Sequence, residues 1–153
     1  MKSKYIKVVN SVVDFSSIQE TIEILKFSDY SDAGDLSVLD LSSFKQLKLF
    51  QCDDRCFVTV TRFVIDGLNR LESVKIGKKS FTLSKNRWAE RKNREFHLTN
   101  CSSLVSLEIG PYSFSDYYVF ELKGLPSLKS IIIGDAYDGF SFHYAPIVDF
   151  NSD

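Results

Sequence analysis

Two cysteines separated by three residues, Cys52 and Cys56, form the first pair in the chain whose spacing suggests chemistry. Paired thiolates are common zinc ligands, but a structural zinc site needs further Cys or His ligands at compatible positions. The third cysteine, Cys101, lies far along the chain, and Cys52 and Cys101 stand where related segments have Ile or Leu. Because a free cysteine behaves as a small buried hydrophobe, we predict core thiols, no metal ion and no cofactor.

His97 and Cys101 are close enough in sequence to suggest a general base beside a nucleophile. We expect His97 to face outward from a strand and Cys101 to face the core, so the two side chains should not meet. The chain also lacks the Gly-rich patterns of phosphate-binding loops. The sequence therefore predicts no catalytic residues and no enzymatic activity.

A column of carboxylates is the other candidate for acid–base chemistry. Carboxylates on one face of a parallel β-structure can act as general acid and base. This column is interrupted at its centre by Val64 and His97, so we interpret it as a solvated face. Its members are Asp14, Asp40, Val64, His97, Glu121 and Asp149.

A basic segment at about 82–94 surrounds the only Trp of the chain, in a protein of net charge −1. Trp and Arg are enriched at interface hot spots, which favours protein binding. Lys and Arg also neutralise phosphates and Trp stacks on unpaired bases, but a pI of about 6.1 argues against a broad nucleic-acid surface. A third hypothesis is an internal clasp over the acidic residues Asp53, Asp54 and Asp116. The candidate binding residues are Lys85, Arg87, Trp88, Arg91, Lys92 and Arg94.

An internal repeat predicts the elements that position these residues. The frame L-x-x-L-x-x-L-x-I-G is followed by a turn with a Phe and by a second apolar stretch of the form x-F-x-L. Both stretches alternate apolar and polar residues, which predicts two strands per unit and little helix. The units begin at Ile18, Phe44, Leu68, Cys101 and Leu125. We therefore predict one domain over 1–153, with a basic insertion at about 82–94.

Four columns of this frame are predicted to form the core. They comprise Phe44, Leu68, Cys101 and Leu125; Leu47, Leu71, Leu104 and Leu128; Phe50, Val74, Leu107 and Ile131; and Cys52, Ile76, Ile109 and Ile133. The Gly that follows the first strand, at 77, 110 and 134, is expected to adopt backbone angles that turn the chain. The sequence SIQE at 17–20 fits a capping box and would open a helix over 18–26, but the repeat frame favours a strand there.

The motif LxxLxxLxIG, spread from about residue 18 to 152, resembles the leucine-rich repeat family in an irregular, Phe-rich form of about 24 residues per repeat. The resemblance implies a right-handed solenoid of about five turns, a parallel sheet on its concave face and protein binding as the usual activity. The second half of each unit here reads as strand, whereas the family commonly has helix. Residues that the frame turns outward on the concave face are Ile24, Leu49, Lys75, Glu108 and Ile132.

Apolar runs are too short to cross a bilayer, which takes about 18–20 residues, and the first residues do not resemble a signal peptide. We therefore expect a cytoplasmic protein without membrane contact. The sequence favours a non-enzymatic protein–protein interaction module, binding through the concave sheet, the basic segment or both. Nucleic-acid binding through the basic segment and a structural, homotypic assembly remain the alternatives. The polar cap at the C-terminal end is thin, which makes self-association through that end a further expectation.

Overall fold

In the computed structural model the described residues are 18–28, 36–82 and 94–134, together with the backbones of two strands at 6–9 and 147–151. The secondary structure of this part of the chain consists of strands alone. They are β1 Ile6–Val9, β2 Ile24–Phe27, β3 Val38–Asp40, β4 Leu49–Cys52, β5 Arg62–Asp66, β6 Ser73–Ile76, β7 Glu95–Thr99, β8 Ser106–Ile109, β9 Val119–Lys123, β10 Ser130–Ile133 and β11 Ile147–Asn151. None of the described residues belongs to a helix long and apolar enough to cross a membrane.

From β2 onward the strands alternate between two sheets. Sheet A has the order β1-β2-β4-β6-β8-β10, and sheet B has the order β11-β9-β7-β5-β3. Every strand pair in both sheets is parallel. The prediction of a mostly β protein with parallel sheets is therefore confirmed, and 18–26 forms a turn and strand β2 instead of a helix.

The strand register joins residues that the sequence frame puts in one column. Phe50 pairs with Val74, Val74 with Leu107, and Leu107 with Ile131. The basic insertion does not shift this register, because Ser73 and Ser106 are 33 residues apart yet lie side by side, with 3.2 Å between their hydroxyl oxygens. The period of two within each strand fixes which side chains enter the space between the sheets.

Aromatic side chains fill much of that space. Phe57, Phe81 and Phe114 stack in successive turns, with ring centroids 5.3 and 4.7 Å apart. A second stack comes from sheet B, where Phe63 and Phe96 are 4.9 Å apart, and the Phe63 ring lies 4.6 Å from that of Phe81. Each fully buried side chain of this size contributes about 1.5–3 kcal/mol before conformational entropy is counted.

The stacked turn residues adopt a backbone conformation that bulky side chains rarely take. Phe57, Phe81 and Phe114 have φ values of 56, 56 and 57°, in the left-handed region. That region costs about 1–2 kcal/mol for a residue with a Cβ, and here the burial of a ring opposes the cost. The turns therefore depend on the core that they help to build.

Two glycines at the ends of sheet A strands are required by close packing. A Cβ on Gly77 would lie 2.5 Å from the carbonyl carbon of Asp53, and one on Gly110 would lie 2.6 Å from the amide nitrogen of Lys78. Of the three glycines that follow strands of sheet A, Gly77, Gly110 and Gly134, only Gly134 has a positive φ, of 71°. The expectation that all three serve to turn the chain is therefore wrong for Gly77 and Gly110, which let neighbouring turns approach.

The last strand of sheet A departs from the predicted core. Side chains of the equivalent core positions in β4, β6 and β8 are at most 2% exposed, whereas Ile131 and Ile133 of β10 are 39% and 38% exposed. The prediction that both isoleucines are buried is therefore wrong. The alternating pattern indicates on which face of the strand a side chain lies. The side chain is buried only where another part of the chain covers that face.

Candidate functional site

The outer face of sheet A carries two rows of side chains that run across the strands. The first row joins Lys26, Gln51, Lys75, Glu108 and Ile132. The second row lies nearer the amino ends of the strands and joins Ile24, Leu49, Ser73, Ser106 and Ser130. All five residues predicted for this face lie in these rows, which are continuous because parallel register repeats from strand to strand.

A depression of about 520 Å³ lies along the first row, where the strands of sheet A end. Its volume is in the range of ligand pockets, but it is a shallow surface and not an enclosed cavity. Four residues of the first row border it, Gln51, Lys75, Glu108 and Ile132, together with the last residues of three strands, Cys52, Ile76 and Ile109. Three of the five predicted residues thus meet at one place, whereas Ile24 and Leu49 lie outside it.

The charges in the depression are open to solvent. Lys75 Nζ and Glu108 Oε2 are 3.8 Å apart, with 56% and 42% of their side chains exposed. An exposed pair of this kind contributes about 0–1 kcal/mol to stability, so either partner can exchange it for an external charge at little cost. Ile132, 50% exposed, provides an apolar contact at one end of the same row.

Polar groups of the turns form the rim of the depression. Gln51 Nε2 donates to Asp53 Oδ1 at 3.4 Å, and the Lys78 amide donates to Asp54 Oδ1 at 2.9 Å. The site therefore combines a cation, three carboxylates, an amide and an isoleucine on rigid strands and tight turns. This set of groups can form hydrogen bonds, ion pairs and one apolar contact with a bound surface.

The basic segment is described only at its two ends. Lys85, Arg87, Trp88, Arg91 and Lys92 lie outside the described residues. Thr82 Oγ1 and Ser115 Oγ are 2.9 Å apart, which ties the beginning of the segment to the next turn.

Arg94, at the end of the segment, is 3% exposed, and its Nη1 lies 3.4 Å from Asp116 Oδ1. Its Nη2 donates to the carbonyl of Val58 at 3.4 Å, and its guanidinium lies 5.7 Å from the Tyr117 ring centroid. The expectation that Arg94 is a surface contact for an external partner is therefore wrong, because its charge is directed inward. Its pairing with Asp116 is one of the contacts that the internal-clasp hypothesis anticipates.

A buried tyrosine completes this interior cluster. The Tyr117 hydroxyl donates to the carbonyl of Val60 at 2.5 Å, and burial raises the pKa of Tyr117. Polar groups that leave water must find such partners, and Arg94, Asp116 and Tyr117 find theirs within the fold. The cluster anchors the base of the inserted segment.

The three cysteines lie where core thiols were predicted. All are reduced and buried, and burial raises the pKa of Cys52 and Cys101. Cys56 Sγ donates to the carbonyl of Ser28 at 3.1 Å, and Cys101 Sγ donates to that of Thr99 at 3.3 Å. A high pKa keeps a thiol protonated and weakly nucleophilic.

His97 lies on the outer face of sheet B between two carboxylates. Its Nδ1 is 2.7 Å from Glu121 Oε1, its Nε2 is 3.0 Å from Glu95 Oε1, and Arg62 Nη1 is 3.1 Å from the same oxygen of Glu95. The sequence column contains Glu121, and Glu95 precedes His97 by two residues on one strand, so both partners were visible in the sequence. No group of three or more His, Cys, Asp or Glu among the described residues is arranged to hold a metal ion.

Comparison with known proteins adds no relative to this description. No protein-family model, no curated protein and no solved structure matches the chain.

Proposed function

We propose that the chain is a right-handed, leucine-rich-repeat-like solenoid of about five turns and a non-enzymatic module that binds another protein. The alternation of strands between two parallel sheets supports this architecture, as does the register that joins equivalent sequence columns. The partner-binding surface is the outer face of sheet A around the depression.

The observation that carries the proposal is the row of exposed Lys75, Glu108 and Ile132 along the depression. These side chains stand on neighbouring strands, so their spacing is fixed at about 4.8 Å from strand to strand. A surface held in advance by a sheet loses little conformational entropy when a partner binds. The mixture of both charges with an apolar residue suits a protein surface better than a polyanion.

A charge reversal tests this surface. Exchanging the pair, as Lys75→Glu with Glu108→Lys, keeps the net charge and the attraction between the two side chains but reverses their order. The matched control is the exchange Glu23→Lys with Lys48→Glu, because that pair, at 3.2 Å, is partly exposed and does not border the depression. Quantitative mass spectrometry of proteins captured from source-cell lysate identifies partners retained by the wild type and the control.

The proposal predicts that the Lys75/Glu108 exchange loses those partners, and that it weakens binding of a purified partner by at least about tenfold, or about 1.4 kcal/mol. Capture of the same partners by this exchange variant would contradict the proposal. So would partners that disappear after nuclease treatment and bind less with rising salt, since these favour the nucleic-acid alternative.

The part of the basic segment that lies outside the described residues is tested separately. If it contributes to binding, replacing Arg87, Trp88 and Arg91 by Ala abolishes capture and leaves the thermal midpoint nearly unchanged. A large fall in the thermal midpoint would instead support the clasp.

A further inference from the structure

The order of charges along the first row of sheet A describes what can bind there. On neighbouring strands β6, β8 and β10 the row presents a cation, a carboxylate and an apolar side chain, from Lys75, Glu108 and Ile132. Lys75 and Glu108 form an open pair at 3.8 Å, so each charge can turn to an external partner at little cost. Charge complementarity therefore requires a partner that presents a carboxylate, a cation and an apolar group in that order.

The spacing of these three side chains fits an α-helix that lies across the strands. Neighbouring strands are about 4.8 Å apart, which sets the interval along the row. A helix rises about 5.4 Å per turn, so its residues at i, at i+3 or i+4, and at i+7 can face the three side chains in succession. Side chains on one face of an extended segment are about 6.6 Å apart and lose step by the third position.

A second row of exposed side chains lies at the amino ends of the same three strands. It consists of Glu72, Val105 and Lys129. The Val105 amide donates to Glu72 O and the Lys129 amide donates to Val105 O, both at 2.9 Å, so these residues follow the register of the sheet. We call them the border row, because the serines at 73, 106 and 130 lie between them and the first row.

The width between the border row and the first row also fits a helix. Glu72 and Lys75 are three residues apart, which is about 10 Å along a strand. A helix with its side chains is about 10–12 Å across, whereas a single added strand is about 4.8 Å wide. Since serine is small, a helix above the serines can contact both rows, and an extended segment can contact only one of them.

We propose that the partner of the sheet A face binds through an amphipathic α-helix that lies across β6, β8 and β10. The helix carries an acidic residue at i, a basic residue at i+3 or i+4 and an apolar residue at i+7, opposite Lys75, Glu108 and Ile132. An acid that precedes a base by one turn also stabilises the helix itself, which places its amino end over β6. This inference rests on the proposed function and names the kind of segment that the binding face accepts.

Two phage-display libraries test the kind of segment and its charge order. One randomises a single helix face of a small helical-bundle scaffold, and the other randomises alternate positions of an extended strand in a small β-scaffold. The baits are the full wild-type chain, the Lys75→Glu with Glu108→Lys exchange, and the Glu23→Lys with Lys48→Glu control. The control pair precedes β2 and β4, outside the proposed footprint of the helix.

The proposal predicts that the wild type and the control enrich helical clones with acid, base and apolar residue in that order. The Lys75/Glu108 exchange should enrich helical clones in which acid and base are reversed, an outcome that loss of stability cannot produce. A purified clone selected on the wild type should bind the exchange variant at least about tenfold more weakly, and the control equally well. Circular dichroism of each bait shows that it is folded.

Three results would overturn the helix: clones from the extended library alone, helical clones without this charge order, or the same order on the exchange variant as on the wild type. Failure of both libraries to yield a clone on the wild type would also overturn it. If lysate partners are nevertheless lost with the exchange, the binding face stands and the helix alone falls. If the exchange variant captures the same lysate partners as the wild type, the proposed function falls, and this inference falls with it.

Discussion

The hydroxyl of Ser80 donates to the main-chain carbonyl of Asp53 at 3.0 Å, across two successive turns at the edge of sheet A. Cys56 makes the same contact one turn earlier, from its Sγ to Ser28 O at 3.1 Å, and Ser113 makes it one turn later, to Gly77 O at 2.5 Å. Ser80 and Ser113 are both fully buried. A column of small donors therefore supplies partners for the carbonyls that follow the strands of sheet A.

Replacing Ser80 by Ala is expected to lower the free energy of unfolding by about 2 kcal/mol or more. The change leaves Asp53 O without this donor, and it also removes the acceptor of the Cys56 amide, which lies 3.1 Å from Ser80 Oγ. A buried polar group without a partner costs about 1–3 kcal/mol. Urea denaturation followed by circular dichroism measures the change.

Two controls define the expected order of stability. Ser80→Cys is expected to lose less, since Cys56 shows that a thiol can fill this position. Ser106→Ala, which removes a partly exposed hydroxyl on the outer face, should cost less than about 0.5 kcal/mol. If Ser80→Ala matches Ser106→Ala, the column of donors does not stabilise the turns.

Removing one partner of the interior pair Arg94–Asp116 should be strongly destabilising. Arg94→Met removes the cation that faces the Asp116 carboxylate, which is 9% exposed, and breaking a buried pair in this way costs about 3–5 kcal/mol. Adding Asp116→Leu removes the second charge of the pair, so the double variant should regain much of the loss. Thermal and urea unfolding measure both changes, and a single variant as stable as the wild type would show that the pair is not a structural anchor.

Acid should weaken the contact at the end of β5. Asp66 Oδ1 accepts hydrogen bonds from Thr99 Oγ1 at 2.7 Å and from Asn100 Nδ2 at 2.9 Å. These bonds favour the carboxylate and lower the pKa of Asp66. The contribution to stability is therefore fully present above the unfolded pKa, about 3.9, and is lost as the pH falls through the lower folded value.

Asp66→Asn provides the control for this pH dependence. The variant should unfold more readily than the wild type at pH 7, and the difference should shrink between about pH 4 and lower pH, where Asp66 itself becomes protonated. Urea midpoints at several pH values give the comparison. A difference that stays constant throughout that range would mean that the carboxylate charge is not involved.

The residues of the sheet A face could be predicted because an alternating strand pattern fixes the direction of each side chain. The sequence frame predicts Lys75, Glu108 and Ile132 in one row, and the strand register agrees. The depression itself could not be predicted, since it depends on how closely the turns at Gly77 and Gly110 approach.

The burial of residues at the end of the inserted segment and in the last strand of sheet A is harder to predict. Arg94 follows a run of cations in the sequence, and only the turn that contains Asp116 and Tyr117 shows why its side chain enters the core. Ile131 and Ile133 have the same pattern as buried isoleucines, but their exposure depends on what lies beyond β10. In both cases a contact between turns or edges decided the outcome, and periodicity within a strand contains no information about such contacts.

The undisturbed register on both sides of the inserted segment has a practical consequence. Thr99 and Asp66 are hydrogen-bonded across a separation of 33 residues, and His97 and Glu121 across one of 24, within the same sheet. The chain between Thr82 and Arg94 thus accommodates extra length while the strands before and after it keep their pairing. Thr82 and Arg94, each held by a contact to a neighbouring turn, bound a graft site. A foreign peptide or an affinity tag can replace 83–93 there in a display scaffold.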